Sequence, residues 1–479
     1  MPSRWQAVYV IPLSVGVFAL LLKQAWLALL RREADTETQF IDSCYTTLVN
    51  LVGAIAGVFI GKVLDRQGSK LPLVFCVLAS MVVPVMFYFH RTLPIQFLFV
   101  AGFISQGIYG VVLLPLQSYI MSQTNGNMKY LGILYACFAF SFLMGAGLLI
   151  LWENKFANLK GIGQELLEGR VTEATYLGKL DRYTQPACFF LVGYGLLMLL
   201  VVSILPYKST NGENTKTRVS FRETVAYLWH ASPNVKTLAV LNMLRVAAFT
   251  PVVSNLVGYM ERRFPNEKPT FYAFIAMNAI TVCILLPNSK RFIKRYGRKT
   301  VLLAGMFSFG AINVCYAMVQ ESFYRALAVP SIFYGVAFLA NPILDTLIVQ
   351  QVAEEEQGTV LGAVSQARSL ASFVLTIPAG KLFTEAETQN SLSGDPSSTT
   401  WWMGLPFLLF APFGFYGMYV ANRASFINDD PTTPTGDMGH SSDYTKLDDV
   451  DSDGIEEVET NLEAIGRSDS FVELTGKTF

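Results

Sequence analysis

Gly61-Lys62-Val63-Leu64-Asp65-Arg66-Gln67-Gly68-Ser69-Lys70 separates two long apolar runs, and a related stretch, Phe292-Ile293-Lys294-Arg295-Tyr296-Gly297-Arg298-Lys299, separates two more. Aligning Gly68 with Gly297 sets the copies 229 residues apart, close to half of the 479-residue chain. A tight, cationic, glycine-bearing turn recurring at that interval points to a duplicated membrane bundle, an architecture common among proteins that move solutes. Two fainter echoes keep nearly the same offset. Tyr109-Gly110-Val111 recurs as Tyr334-Gly335-Val336, and Leu131-Gly132 as Leu361-Gly362.

The composition agrees. Hydrophobic residues make up 52% of the chain and charged residues only 15%, with a mean hydropathy of +0.39. That is too apolar for an ordinary soluble domain. A helix needs about 20 mainly apolar residues to cross a bilayer. Twelve segments meet this expectation: 6–30, 40–61, 71–90, 94–122, 130–152, 186–206, 236–259, 270–287, 300–319, 323–352, 358–383 and 400–421. The predicted fold is all-α and polytopic, with twelve transmembrane helices in two pseudo-symmetric six-helix bundles. Residues 1–206 form the first bundle, 207–235 a cytoplasmic loop, 236–423 the second bundle and 424–479 an acidic tail.

The first apolar run continues to Leu30 without a small-residue cleavage site, so it reads as a retained signal-anchor helix. Cys44, Cys76, Cys137, Cys188, Cys283 and Cys315 all fall in apolar runs without paired spacing. They read as small core hydrophobes; neither a disulfide frame nor a metal site is expected. Basic residues concentrate in the two signature turns and in the connector, at Lys208, Lys216, Arg218 and Arg222. The positive-inside rule therefore places these loops and both termini in the cytoplasm, against a minority of external positives at Arg31, Arg32, Arg262 and Arg263. Within the connector, Phe221 to Trp229 has amphipathic helical spacing, which suits either a helix on the membrane surface or a plain linker.

The first turn resembles the signature loop between helices 2 and 3 of the major facilitator superfamily. Gly61, Asp65, Arg66, Gly68 and Lys70 match that pattern, with Ser69 at one of its basic positions. The second copy keeps Arg295, Gly297, Arg298 and Lys299, but Lys290 and Lys294 stand where the glycine and aspartate belong. The resemblance implies that Asp65 contacts the start of helix 11 when the cytoplasmic side is shut, so that the loop acts as a latch. Read from the residues alone, Gly61 permits close helix approach, Gly68 permits a turn at positive φ, and Asp65 suits a helix N-terminus. The competing reading is topological: Lys62, Arg66 and Lys70 hold the loop inside.

A weaker local likeness joins Gln357-Gly358, Gly362, Arg368 and Leu370 to tetracycline-efflux-like and hippocampus-abundant-transcript-like facilitators. The chain departs from proton-driven drug exporters, because 98–106 lacks an arginine and Phe142-Leu143-Met144-Gly145-Ala146-Gly147 lacks a Gly-Pro pair.

Charges inside apolar runs are costly, some 2.5–3.5 kcal/mol at the bilayer centre, so they tend to face a cavity or a partner. Lys23, Arg245, Asp345 and Arg368 stand out as candidates for a substrate cavity or a coupling site. Lys23 either snorkels toward Arg31 and Arg32 or faces the cavity. Arg245 lies on a helix expected to line the cavity. Asp345 and Arg368, on consecutive antiparallel helices, are expected to pair, either as a structural ion pair or as a proton-sensitive switch. Asp42, near a helix end, reads as interfacial. With three cations against one anion, the interior favours an anionic or zwitterionic solute. Tyr109, Tyr272, Phe333 and Tyr334 either stack on it or simply pack.

Nothing in the sequence argues for an enzyme. The three histidines, His90, His230 and His440, fall in loops or the tail, and no phosphate-cradling loop is present. The tail is acidic and Ser/Thr-rich, as in disordered segments. Its Asp449-Val450-Asp451-Ser452-Asp453-Gly454 resembles half of a calcium loop, but Thr460 occupies the twelfth position, so a solvated acidic run is the better account. Tyr444-Thr445-Lys446-Leu447 has the form of a sorting-adaptor signal. The expected protein is a secondary transporter, monomeric, cofactor-free and without nucleic acid, whose partners are a small-molecule solute, protons and the lipid bilayer. The competing reading is a transport-inactive receptor or nutrient sensor on the same fold.

Overall fold

The computed structural model describes residues 4–33, 38–124, 128–155, 172–206, 231–263, 278–318, 323–352, 357–393 and 399–427. The connector's amphipathic stretch Phe221 to Trp229, Tyr272, the calcium-like run and Tyr444 to Leu447 lie outside them, as do the side chains of Lys23 and Asp42.

Among the described residues every regular element is helical. A 3₁₀ turn at Arg4–Val10 leads into α1 (Leu13–Glu33), α2 (Thr38–Gln67), α3 (Lys70–Tyr88), α4 (Ile95–Gly110), α5 (Leu113–Thr124), α6 (Met128–Lys155) and α7 (Glu173–Ile204). The second half comprises α8 (Pro233–Arg263), α9 (278–285), α10 (Ser289–Tyr296), α11 (Arg298–Met318), α12 (Phe323–Gln350), α13 (Gln357–Ser393) and α14 (Thr399–Arg423). Among the described residues ten helical spans are long and apolar enough to cross a membrane, with α4 and α5 counted as one. Together with α1 and α9 they fill the twelve expected places, and the chain is a multi-pass membrane protein. The exposed side chains include Phe59, Phe75, Leu151, Phe189, Leu200, Val253, Ile332 and Val374, the apolar surface that lipid covers.

Two segments differ from expectation. The run predicted as one helix over 94–122 is broken at Val111 and Val112. Pro115 has no N–H to offer the carbonyl of Val111 and its ring crowds that carbonyl; the chain answers with tighter bonds, Val112 N to Tyr109 O at 2.9 Å and Leu114 N to Val111 O at 3.0 Å. The sixth span begins well before 186, because Thr172 caps its N-terminus by accepting from the Thr175 N–H at 3.4 Å. Both signature glycines do adopt positive φ, 69° at Gly68 and 83° at Gly297. Each closes the preceding helix, Gly68 N bonding Leu64 O and Gly297 N bonding Ile293 O.

Within the first half α1 packs on α6, α2 on α4, and α3 on α4 and α7; in the second, α11 packs on α12 and α14, and α8 on α13 and α14. Among the described residues the most extensive helix packing joins the halves, α2 against α13. It is built on small residues: a Cβ on Gly61 would lie 2.7 Å from Gly358 O, and one on Gly362 would lie 2.9 Å from Gly57 O. Such backbone contact is how helices associate where no hydrophobic effect drives them together. A second seam joins α6 to the 3₁₀ turn Leu286–Asn288 after α9. There a Cβ on Gly132 would collide with Leu286 O, and Cys283 Sγ lies 3.3 Å from Ala136 O. The two seams are copies of one contact. Gly362 follows Gly132 by 230 residues, and Leu286 follows Gly57 by 229.

Candidate functional site

Asp65 sits in the last turn of α2, beside the first turn of α13. Its Oδ2 accepts from Thr359 N at 2.8 Å and also from the Thr359 hydroxyl. The first N–H groups of a helix have no intrahelical acceptor and carry the positive end of its dipole, so a carboxylate from the other half completes the start of α13. Gly358 is required beside it, since a Cβ there would overlap Asp65 Oδ1. Lys70 works within its own half. Its Nζ donates to the carbonyls of Ser203 at 2.8 Å and Leu205 at 3.2 Å, the free end of α7. In the second copy Arg298 donates to Gln350 Oε1 at 3.0 Å, tying the start of α11 to the end of α12. Arg295 lies over the ring of Tyr296, 5.3 Å from its centre. Arg66 is exposed beside Asp65.

Asp345 on α12 is 2% exposed. Its Oδ2 accepts from the Gln117 amide at 3.0 Å and from the Tyr135 hydroxyl, while Gln117 Nε2 also reaches Tyr135 Oη at 2.5 Å. Both donors belong to the first half, on α5 and α6. Arg245 on α8 is 7% exposed and donates to Asn341 Oδ1. Asn341 and Asp345 stand one turn apart on the same face of α12. Arg245 and Tyr135 lie within electrostatic range of each other, and each lies within range of both Asp345 and Arg368.

The expected Asp345–Arg368 ion pair is not present among the described residues. Consecutive helices α12 and α13 touch little, because α13 spends its small-residue face on α2. Arg368 stays half-buried near the cluster, and Asp345 is satisfied from the opposite half. Lys23 lies in α1.

Four participants escaped the sequence reading: Gln117, Tyr135, Asn341 and Thr359. Asn341 was accessible through its four-residue spacing from Asp345, and the fourfold spacing of Gly53, Gly57 and Gly61 announced a close helix contact. Nothing in the local sequence marks Tyr135 or Gln117 as partners of Asp345. Of the aromatic candidates, Tyr109 bonds Ser14 deep in the first half, and Tyr334 lies 6.1 Å from Phe249 in the second.

The sequence model of the family described as Major Facilitator Superfamily matches residues 34–376. Among solved structures, the fold is similar to that of the human organic anion transporter MFSD10 (TETRAN), with 12% identity and a TM-score of 0.63 over 87% of this chain and 99% of that one. It is similar to a variant of the E. coli fucose:proton symporter FucP, with 13% identity and a TM-score of 0.62 over 86% and 97% of the two chains. A variant of the nucleoside transporter NupG gives 12% identity and a TM-score of 0.55 over 88% and 99%. No curated protein matches the sequence. These identities bear on the fold alone, and the solutes named for the three structures differ, so the fold leaves the solute open.

Proposed function

We propose that this chain, which belongs to the major facilitator superfamily, is a secondary active transporter that carries a small anionic or zwitterionic organic solute by alternating access, with Asp345 coupling the cycle to protons. The observation that carries this reading is a buried carboxylate of one half bonded by Tyr135 and Gln117 of the other, beside two guanidinium groups.

In the arrangement described, the halves are joined at Asp65–Thr359, along both glycine seams and through Asp345. Alternating access requires these contacts to release together. A hydrogen bond to a charged group contributes about 1.5–3 kcal/mol, the scale of the few kcal/mol that separate conformers in such equilibria. Protonation of Asp345 therefore loosens the tie between the halves. It also removes the negative charge facing Arg245 and Arg368, which raises the attraction of the site for an anion. Proton and anion then favour each other's binding, the logic of symport. Asp65 is the latch of this cycle: its carboxylate is satisfied only while α2 and α13 stay together. The basic residues at this end, among them Lys62, Arg66, Lys70, Lys294 and Arg295, support placing it and both termini in the cytoplasm.

The test is purified protein in liposomes, with an imposed pH gradient and a panel of labelled organic anions. Gradient-driven accumulation that is lost in Asp345→Asn supports the reading. Saturable binding without flux for any solute would favour the transport-inactive receptor.

A further inference from the structure

We infer that the face shared by α8 and α12 binds an aryl monocarboxylate, a planar ring joined through a short spacer to one carboxylate, with Arg245 holding the acid and Phe249 and Phe338 the ring. The transporter reading supplies only the location of this site on the transport path.

The two helices carry matched ladders. Along α12, Tyr334, Phe338, Asn341 and Asp345 follow one another at turn spacing, and along α8, Phe249 and Arg245 run alongside in the opposite direction. Two contacts fix the register: Arg245 bonds Asn341, and the ring of Phe249 meets that of Phe338 edge to face, 5.5 Å between centres at 88°. The polar rung and the aromatic rung are thus neighbours, and Asp345 lies on the far side of Arg245 from the rings.

Three features point to a ligand of this chemistry. A guanidinium offers five N–H donors, yet among the described residues only Asn341 Oδ1 accepts from Arg245, which is more than nine-tenths buried. Second, Arg245 has the Arg368 guanidinium within electrostatic range and, among the described residues, Asp345 as the one carboxylate that offsets it. One further carboxylate balances the charge, and a planar bidentate acceptor suits the guanidinium fork. Third, Phe249 and Phe338 each keep part of their surface exposed, whereas Asn242, Arg245, Asn341 and Asp345 on the same helices are buried. Phe309 and Tyr334 back this pair of rings from within the helix packing, and the surface the pair leaves exposed is where a further ring packs edge to face. Arg245 and Phe249 are one turn apart, about 6 Å at 1.5 Å per residue. That separation suits an arylalkanoate better than a benzoate, whose acid is joined directly to its ring.

The experiment uses the full-length protein in detergent, with equilibrium dialysis of three probes: 3-phenylpropionate, 3-cyclohexylpropionate and 3-phenylpropanol. Saturable binding of 3-phenylpropionate is expected, on the order of tenfold tighter than the alcohol and several-fold tighter than the cyclohexyl acid. Arg245→Lys should weaken both acids. Phe249→Leu and Phe338→Leu should erase the preference for the phenyl ring while the acid over alcohol preference stays. Equal binding of the three probes, or none by protein whose thermal transition is intact, overturns the proposal. Liposome flux separates the two readings. Binding of 3-phenylpropionate without transport of any solute would sink the transporter and keep the site. Transport of another solute that 3-phenylpropionate does not inhibit would sink the site and keep the transporter.

Discussion

Asp345 of the second half accepts a hydrogen bond at 3.0 Å from Gln117 of the first, across 228 residues of chain. Tyr135 donates to the same oxygen, so one buried carboxylate atom holds two helices of the opposite half. Separation of the halves must leave those donors and that acceptor without one another, and an unpaired charge in a dry interior is expensive. The cheapest relief is a proton.

Replacing Asp345 with Asn should therefore uncouple rather than abolish movement. The amide oxygen still accepts from Tyr135 and Gln117 but carries no charge and takes up no proton in the cycle. In liposomes, solute exchange should persist in D345N while accumulation driven by a pH gradient disappears. Retention of gradient-driven accumulation would remove Asp345 from coupling.

Asp65 separates capping from charge. Asn caps a helix about as well as Asp, whereas Ala costs about 0.5–2 kcal/mol at such a position. Asp65→Ala should lower the thermal transition of purified protein and slow flux; Asp65→Asn should retain most of the stability, losing only the interaction of its charge with the start of α13. Identical behaviour of D65A and wild type would leave the loop with a purely topological role.

The copied glycine seams should respond alike. Gly61→Ala puts a methyl 2.7 Å from Gly358 O, and Gly132→Ala puts one against Leu286 O. Overpacking of this kind costs about 1–3 kcal/mol, charged here only to the closed arrangement. Both variants should shift the population away from it, and the double variant further.

Two native cysteines report that shift. Cys283 Sγ lies 3.3 Å from the carbonyl of Ala136, the neighbour of Cys137 in the opposite half. With Cys44, Cys76, Cys188 and Cys315 replaced by Ala, a short bifunctional thiol reagent should link Cys137 to Cys283 and stop flux. The yield should fall in G61A and G132A. A yield that ignores both substitutions would show that the seams do not part at this end.

The glycine turns offer a control on local geometry. Gly68 and Gly297 hold φ of 69° and 83°, Gly297 with ψ of 150° in a region essentially reserved for glycine, and such positions cost a residue with a Cβ on the order of 1–3 kcal/mol. Gly68→Ala and Gly297→Ala should each lower the thermal transition without altering the pH dependence of flux. A changed pH dependence would tie the turns to coupling as well as to folding.

The sequence by itself determined what depends on residues near one another in the chain. Apolar runs of bilayer length made membrane helices, Gly68 and Gly297 made their turns, and the 229-residue echo announced the duplication. Even Asp65 was legible as a partner for a helix start, because its motif resembles a familiar one. Only the tertiary structure decided who meets whom. Chain order placed Arg368 next to Asp345, but α13 lies along α2 because glycines on both allow backbones to touch. That choice hands Asp345 to Tyr135 and Gln117. A helix can show its small face in one dimension; which other face it fits is settled in three, by packing between residues hundreds of positions apart.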